Sequence, residues 1–249
     1  MTRHLVPALS AVLLALSLSG SATPIVAAAT ATQRVTTVSD DIGQPRAPWQ
    51  PAKRQLKAKD VAARAFKVGN VIAGQPLRWN PCAPIHWASH TTTGPVDGLA
   101  VLQSAVARVA STTDTTWVYD GETGTLPTSS WLDSHNSVLL GWSNHASSDL
   151  LGGSTTALGT AQIAYERIGA GSAHIAAGVV ALDQAARLPL TGNGSWRLAA
   201  LHELGHVMGL GHVSGEGQAM APVLSTSISD YQSGDLNGLR ALGARSGCL

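Results

Sequence analysis

The sequence predicts an α+β domain, and three of its features carry that prediction. Leu99, Leu102, Val106 and Val109 fall at spacings of three and four on one face of the segment 96 to 112, the period of an amphipathic helix. A run of short, apolar, β-rich segments separated by Gly- and Ser-rich loops follows it. A second long helix begins close to Ser195, and a short one covers 235 to 242. The order is therefore strand, helix, strands, long helix, loop, helix.

Ahead of that domain, residues 1 to 31 read as an export signal: Arg3 gives a positive start, Leu9 to Leu18 an apolar run, and Ala27 to Ala31 a small-residue cleavage region. The apolar run is well short of the roughly 20 residues a spanning helix needs, so no stable membrane insertion is expected after cleavage. Residues 32 to 75 read as a basic linker or pro-like segment, with eight Lys and Arg against three Asp, and with Pro45, Pro48 and Pro51 breaking any regular element. Within it, 56 to 68 has helical composition, with Val61, Ala62 and Phe66 directed inward.

The compact domain is read as 76 to 249. Its strands are placed at 84 to 89, 116 to 120, 137 to 142, 157 to 165 and 175 to 183. Trp87, Trp117 and Trp142 are strand-borne core residues, and Trp196 packs at the start of the second long helix, which Ser195 caps and which runs to about Gly209. This part of the chain holds seven Arg and no Lys against eight Asp and four Glu, a sign of charge that leaves no footprint for nucleic acid. Cys82 and Cys248 are the two cysteines, and in an exported chain they are expected to pair; two unpaired thiols, or a Cys82 thiolate on a metal, are the competing readings.

The chemistry lies in HELGHVMGLGH, residues 202 to 212. His202 and His206 stand four apart, so on a helix both imidazoles share a face, one turn above the other. A hydrolytic zinc takes three protein ligands and keeps a fourth position open, so a third ligand is needed, and His212 is the candidate. Ten residues of continued helix would carry it about 15 Å along the axis. Gly209 removes the difficulty, since a residue without Cβ takes positive φ, ends the helix and turns the chain back. Glu203 follows the first ligand and reaches the side of the metal, the place of a general base for zinc-bound water. With this chain's own residue frequencies the five fixed positions would arise by chance on the order of 10⁻⁵ times per chain.

These residues resemble the HExxHxxGxxH signature of the metzincin zinc metallopeptidases. QAMAP (218 to 222) supplies Met220 eight residues after His212, a spacing like that of the matrixin branch, and DLNGLRALG (235 to 243) is similar to the matrixin C-terminal helix. The resemblance implies a metzincin, zincin-like fold: a twisted, mostly parallel sheet, two long helices, a short C-terminal helix, and a Met-turn below the zinc. It implies that Met220 lies under the imidazoles and that Asp235 hydrogen-bonds the turn. It also implies an edge strand near 157 to 163 to which an extended peptide adds, and a pocket at Pro222 to Leu224 for the residue after the scissile bond. The chain departs from the pattern at Val213, where matrixins place Ser, and in lacking a cysteine-switch sequence. Calcium enters only through the resemblance, because the acidic residues are scattered and form no EF-hand pattern.

The expected function is that of a secreted, zinc-dependent endopeptidase, a monomer acting on protein or peptide substrates outside the cell or in its wall. Two other functions use the same ligands: a zinc amidase acting on cell-wall peptides, and a zinc-stabilised binding module without turnover. His86, His90, His135, His145 and His174 have no tight ligand spacing and read as surface or satisfied core histidines. The segment 32 to 75 reads equally as a pro-segment docking on the acidic domain or as a solvated linker.

Overall fold

A computed structural model describes residues 34–38, 42–43, 66–152, 157–168, 172–214 and 217–249. The proposed export signal, residues 56 to 65 of the helix expected at 56 to 68, and the prolines of the linker lie outside the described residues. Among the described residues no helix is long and apolar enough to cross a membrane.

The core sheet is built from β6 (Ile85–His90), β7 (Trp117–Glu122), β8 (Val138–Ser143), β9 (Ala157–Ile168) and β10 (Ser172–Asp183). In space they run β9, β10, β8, β6, β7. Three neighbouring pairs are parallel, and only β9 runs antiparallel to its partner β10. This is the mostly parallel sheet of the expected α+β fold. Every residue of β8 is buried, as are nine consecutive residues of β10, the continuous apolar run of a strand covered on both faces.

Two long helices lie on one face. Helix α1 (Gly98–Thr113) turns Leu102, Ala105, Val106 and Val109 into the core, and α3 (Trp196–Val207) packs against it. The short α2 (Trp131–Ser134) contributes to a second, smaller apolar cluster with Leu139, Leu151 and Val179. Helix α4 (Ser233–Leu242) closes the domain and packs on α1. Trp142 is fully buried and meets the ring of Trp196 edge-on at 5.7 Å, which joins the sheet to the start of α3. Trp87 is buried as expected, whereas Trp117 is only partly so.

Cys82 and Cys248 form a disulfide. Asn80 reinforces it, its side-chain oxygen accepting from the backbone N–H groups of both Cys82 and Leu249. The bond closes a loop of 166 residues, and chain-entropy reasoning gives such a closure about 5 kcal/mol.

Several elements lie outside the domain limits drawn from sequence. Lys67 and Val68 form β3 rather than the end of a helix, pairing antiparallel with β11 (Leu210–Gly211). Phe66, expected inward on that helix, is 37% exposed and rests against Gly238 of α4. A hairpin, β4 (Val71–Ile72) with β5 (Gln75–Pro76), follows. Ahead of them, β1 (Arg34–Val38) and β2 (Ile42–Gly43) both pair antiparallel with β9. The strand expected to be the free edge thus has a neighbour on each side, because the β-branched run RVTTV supplies a strand where the following prolines point to a linker.

Candidate active site

Helix α3 carries the site. Ser195 caps it, its hydroxyl accepting from the Leu198 N–H, and eleven of its twelve residues are buried. A helix apolar or buried all round is a core helix, so the polar groups on it require partners inside the protein. His202 and Glu203 are fully buried, and His206 is 3% exposed.

The helix ends at Val207. The Trp79 indole N–H donates to the Val207 carbonyl at 2.9 Å, and Gly209 takes φ +100°. Space as well as conformation requires glycine there, since an added Cβ would stand 2.4 Å from the Leu77 carbonyl oxygen. The chain then reverses as β11, held by β3 and by the Gly69 N–H donating to the Gly209 carbonyl. That reversal brings His212 to the other two imidazoles. Part of that support, residues 67 to 69, comes from the segment the sequence reading places in the linker, and the rest from Leu77 and Trp79 at the start of the domain.

The three Nε2 atoms converge. His202 lies 3.0 Å from His206 and 3.0 Å from His212, and His206 lies 3.2 Å from His212. His202 Nδ1 is 2.6 Å from the Ala219 carbonyl, and His206 Nδ1 is 2.9 Å from that of Leu210. A carbonyl only accepts, so in both rings Nδ1 bears the proton, and the neutral form leaves Nε2 as a bare lone pair. Burial holds His202 well below the usual histidine range, with His206 and His212 adding to the effect and the Ala219 carbonyl opposing it. Two bare lone pairs cannot bond each other across 3.0 Å.

A shared cation resolves this. Zn–N distances of about 2.0–2.1 Å in a tetrahedron put ligand nitrogens roughly 3.3 Å apart, close to the separations here. The backbone carbonyls that fix the Nδ1 protons are the usual outer partners of metal-bound imidazoles. Among the described residues this is the one group of three His, Cys, Asp or Glu whose ligand atoms converge, and His212 is its partly exposed member.

Met220 and Asp235 shape the floor. Met220 is buried beneath the helix, its sulfur directed at Gly205, and its carbonyl accepts from the Val213 N–H. The Asp235 carboxylate accepts from the N–H groups of Ala219, Met220 and Gln232. Burial raises its pKa, and those three donors offset part of the rise. Tyr231 adds a further tie, its hydroxyl donating to the Leu201 carbonyl, with burial raising its pKa well above the usual value.

Glu203 faces the sheet at Gly159. A Cβ on Gly159 would stand 3.0 Å from the Glu203 Oε1 and 3.2 Å from its Cγ. The sequence reading missed this residue and Gly205; each is silent in sequence because its partner lies far along the chain. Of the segment 222 to 224, Pro222 is exposed, Val223 half-buried and Leu224 buried in the main core.

The other histidines are dispersed. His86 pairs with Asp120, the His90 ring bonds the Thr123 carbonyl, and His135 stacks on Trp131. His145 lies between the Leu151 carbonyl and Asp183, and His174 lies near Glu166.

No curated protein matches the chain in sequence. The matrixin family model matches residues 112–243, more than half of the chain, and it spans β7 through α4 with all three converging imidazoles. The chain belongs to the matrixin family and is a zinc metalloendopeptidase, a hydrolase of peptide bonds.

Proposed function

We propose that the protein is an exported endopeptidase in which His202, His206 and His212 hold one catalytic zinc and Glu203 is the general base. The convergence of three Nε2 atoms beside a buried carboxylate on the next residue carries this reading. Bound zinc supplies a Lewis acid that acidifies water and polarises a carbonyl. Glu203 takes a proton from the attacking water at its carboxylate and delivers it to the nitrogen of the departing amine. The Nδ1 bonds to Ala219 and Leu210 fix the rings in the ligating tautomer, and Met220 supports them from below with a soft, adaptable surface.

Export is supported by the N-terminal signal pattern and by the Cys82–Cys248 disulfide, a bond that persists in oxidising compartments. The test is a cleavage profile of a peptide mixture with and without a chelator. Cleavage abolished by chelation and restored by zinc is expected; cleavage of cell-wall peptides alone would transfer the same site to amidase chemistry. Cleavage indifferent to chelation would overturn the zinc mechanism.

A further inference from the structure

Two stretches of chain close on the reversal that brings His212 to the other imidazoles. One is the stretch from Leu77 to Cys82. The Leu77 carbonyl oxygen stands 2.4 Å from where a Cβ on Gly209 would be, and the Trp79 indole N–H donates to the Val207 carbonyl at 2.9 Å. The other is α4. Leu242 Cδ1 is 3.5 Å from the same Cβ position on Gly209, and Leu210 Cδ2 is 2.7 Å from the Cβ position of Gly238. Gly209 therefore touches both stretches, and the Cys82–Cys248 bond joins them to each other, Cys82 lying just after Trp79 and Cys248 just after α4. Chain and disulfide together form a clasp on residues 207 to 210.

The disulfide is the firm tie in that clasp. Among the described residues, the hydrogen bonds between the tail after α4 and the stretch 78 to 80 are solvent-exposed. Arg78 Nη2 donates to the Ser246 carbonyl at 3.2 Å, the Leu249 N–H donates to the Asn80 side-chain oxygen at 3.2 Å, and Asn80 Nδ2 donates to the Leu249 carbonyl at 3.5 Å. Water competes for such bonds, so their net contribution is small. Both cysteines are exposed, so an external thiol reaches the bond. The three imidazoles depend on the clasp unequally. His202 and His206 are placed by α3 itself, whereas His212 lies beyond the helix and is placed by the reversal.

We propose that the Cys82–Cys248 disulfide positions the third zinc ligand, so that the chain holds zinc at full affinity only when the bond is formed. This extends the zinc site proposed above and rests on it. Two electrons and two protons from an external dithiol convert the S–S bond to two thiols, the dithiol leaving as its own disulfide. The clasp then opens at its outer end, and His212 loses its fixed position while the pair on α3 keeps theirs. Loss of the groups that orient a ligand costs about tenfold to a hundredfold in metal affinity. The metal site is thus completed where disulfides persist, and is incomplete in a reducing compartment.

The test is zinc affinity of the full chain, measured by competition with a chromophoric chelator, with folding followed by hydrogen exchange of α3 and β10. Cys82→Ser/Cys248→Ser should bind zinc about tenfold to a hundredfold more weakly than the oxidised wild type. A general loss of stability would weaken binding whatever the ligand set, so the same two serines are compared in a His212→Ala background. There they should change zinc affinity by less than about twofold, because the ligand they act through is gone. Equal affinity with and without the disulfide in a folded chain, or an equal drop in the His212→Ala background, would overturn the proposal. If the serine variant fails to fold, the zinc-loaded wild type is reduced with a water-soluble phosphine, which takes oxygen from water and becomes its oxide. Zinc should then pass to the chelator about tenfold faster than from the oxidised protein, with α3 still protected. An unchanged rate, or release only together with loss of that protection, overturns the proposal. A chain that binds no zinc when oxidised sinks the zinc site and the proposal with it. A chain that loses zinc on reduction but cleaves no peptide in either state leaves the clasp standing and sinks the peptidase reading.

Discussion

The Met220 sulfur lies against the backbone of Gly205, 2.2 Å from where a Cβ on that residue would stand. Gly205 sits inside α3 between His202 and His206, where glycine costs a helix about 1 kcal/mol relative to alanine. The space it leaves lets the Met-turn approach the helix directly under the two ligands. Gly205→Ala is therefore expected to destabilise the domain, by about 1–3 kcal/mol from overpacking, despite its better helix propensity. Met220→Leu, which nearly conserves volume, should cost less than about 1.5 kcal/mol. Urea unfolding of the zinc-loaded variants checks both; a stabilised Gly205→Ala would contradict the contact.

Gly159 has the same relationship to the proposed base. A methyl group there meets the Glu203 carboxylate at 3.0 Å and Leu182 at 2.9 Å, so something must shift. Gly159→Ala should lower kcat by about tenfold to a hundredfold through misplacement of Glu203, while zinc content stays at the wild-type level. Peptide hydrolysis read beside metal analysis decides this. Equal loss of metal would show instead that the substitution disturbs the ligands.

Asp235 ties the Met-turn to the last helix through three backbone donors. Asp235→Ala leaves the Ala219, Met220 and Gln232 N–H groups without that acceptor inside the protein, at about 1–3 kcal/mol for each one left unsatisfied. The unfolding midpoint should fall sharply. Asp235→Asn should recover only part of the loss, since one of its two polar atoms is a donor facing donors. A neutral effect of the alanine variant in denaturant titrations would refute the assigned role.

The zinc segment is legible because its information is local. His202 and His206 share a helix face by spacing alone, and Gly209 marks the reversal that brings in His212. The five core strands and α1 are equally plain, because long apolar runs and a clean helical period leave few alternatives. The supports of the reversal are not legible: β3 and β11 are two residues each, too short for any periodicity, and Leu77 meets Gly209 across more than a hundred residues of chain. The RVTTV strand has strong β character, but the prolines at 45, 48 and 51 make the whole stretch read as linker. Gly159 and Gly205 matter for the atoms they make room for, and sequence shows only the absence of a side chain.

The most direct test of the central claim is the zinc content and peptide hydrolysis of Glu203→Gln measured on the same sample. One zinc per chain retained, with hydrolysis lower by about 10²- to 10⁴-fold, is the expected result. A variant that keeps its zinc and cleaves peptides at the wild-type rate would show that Glu203 is not the base.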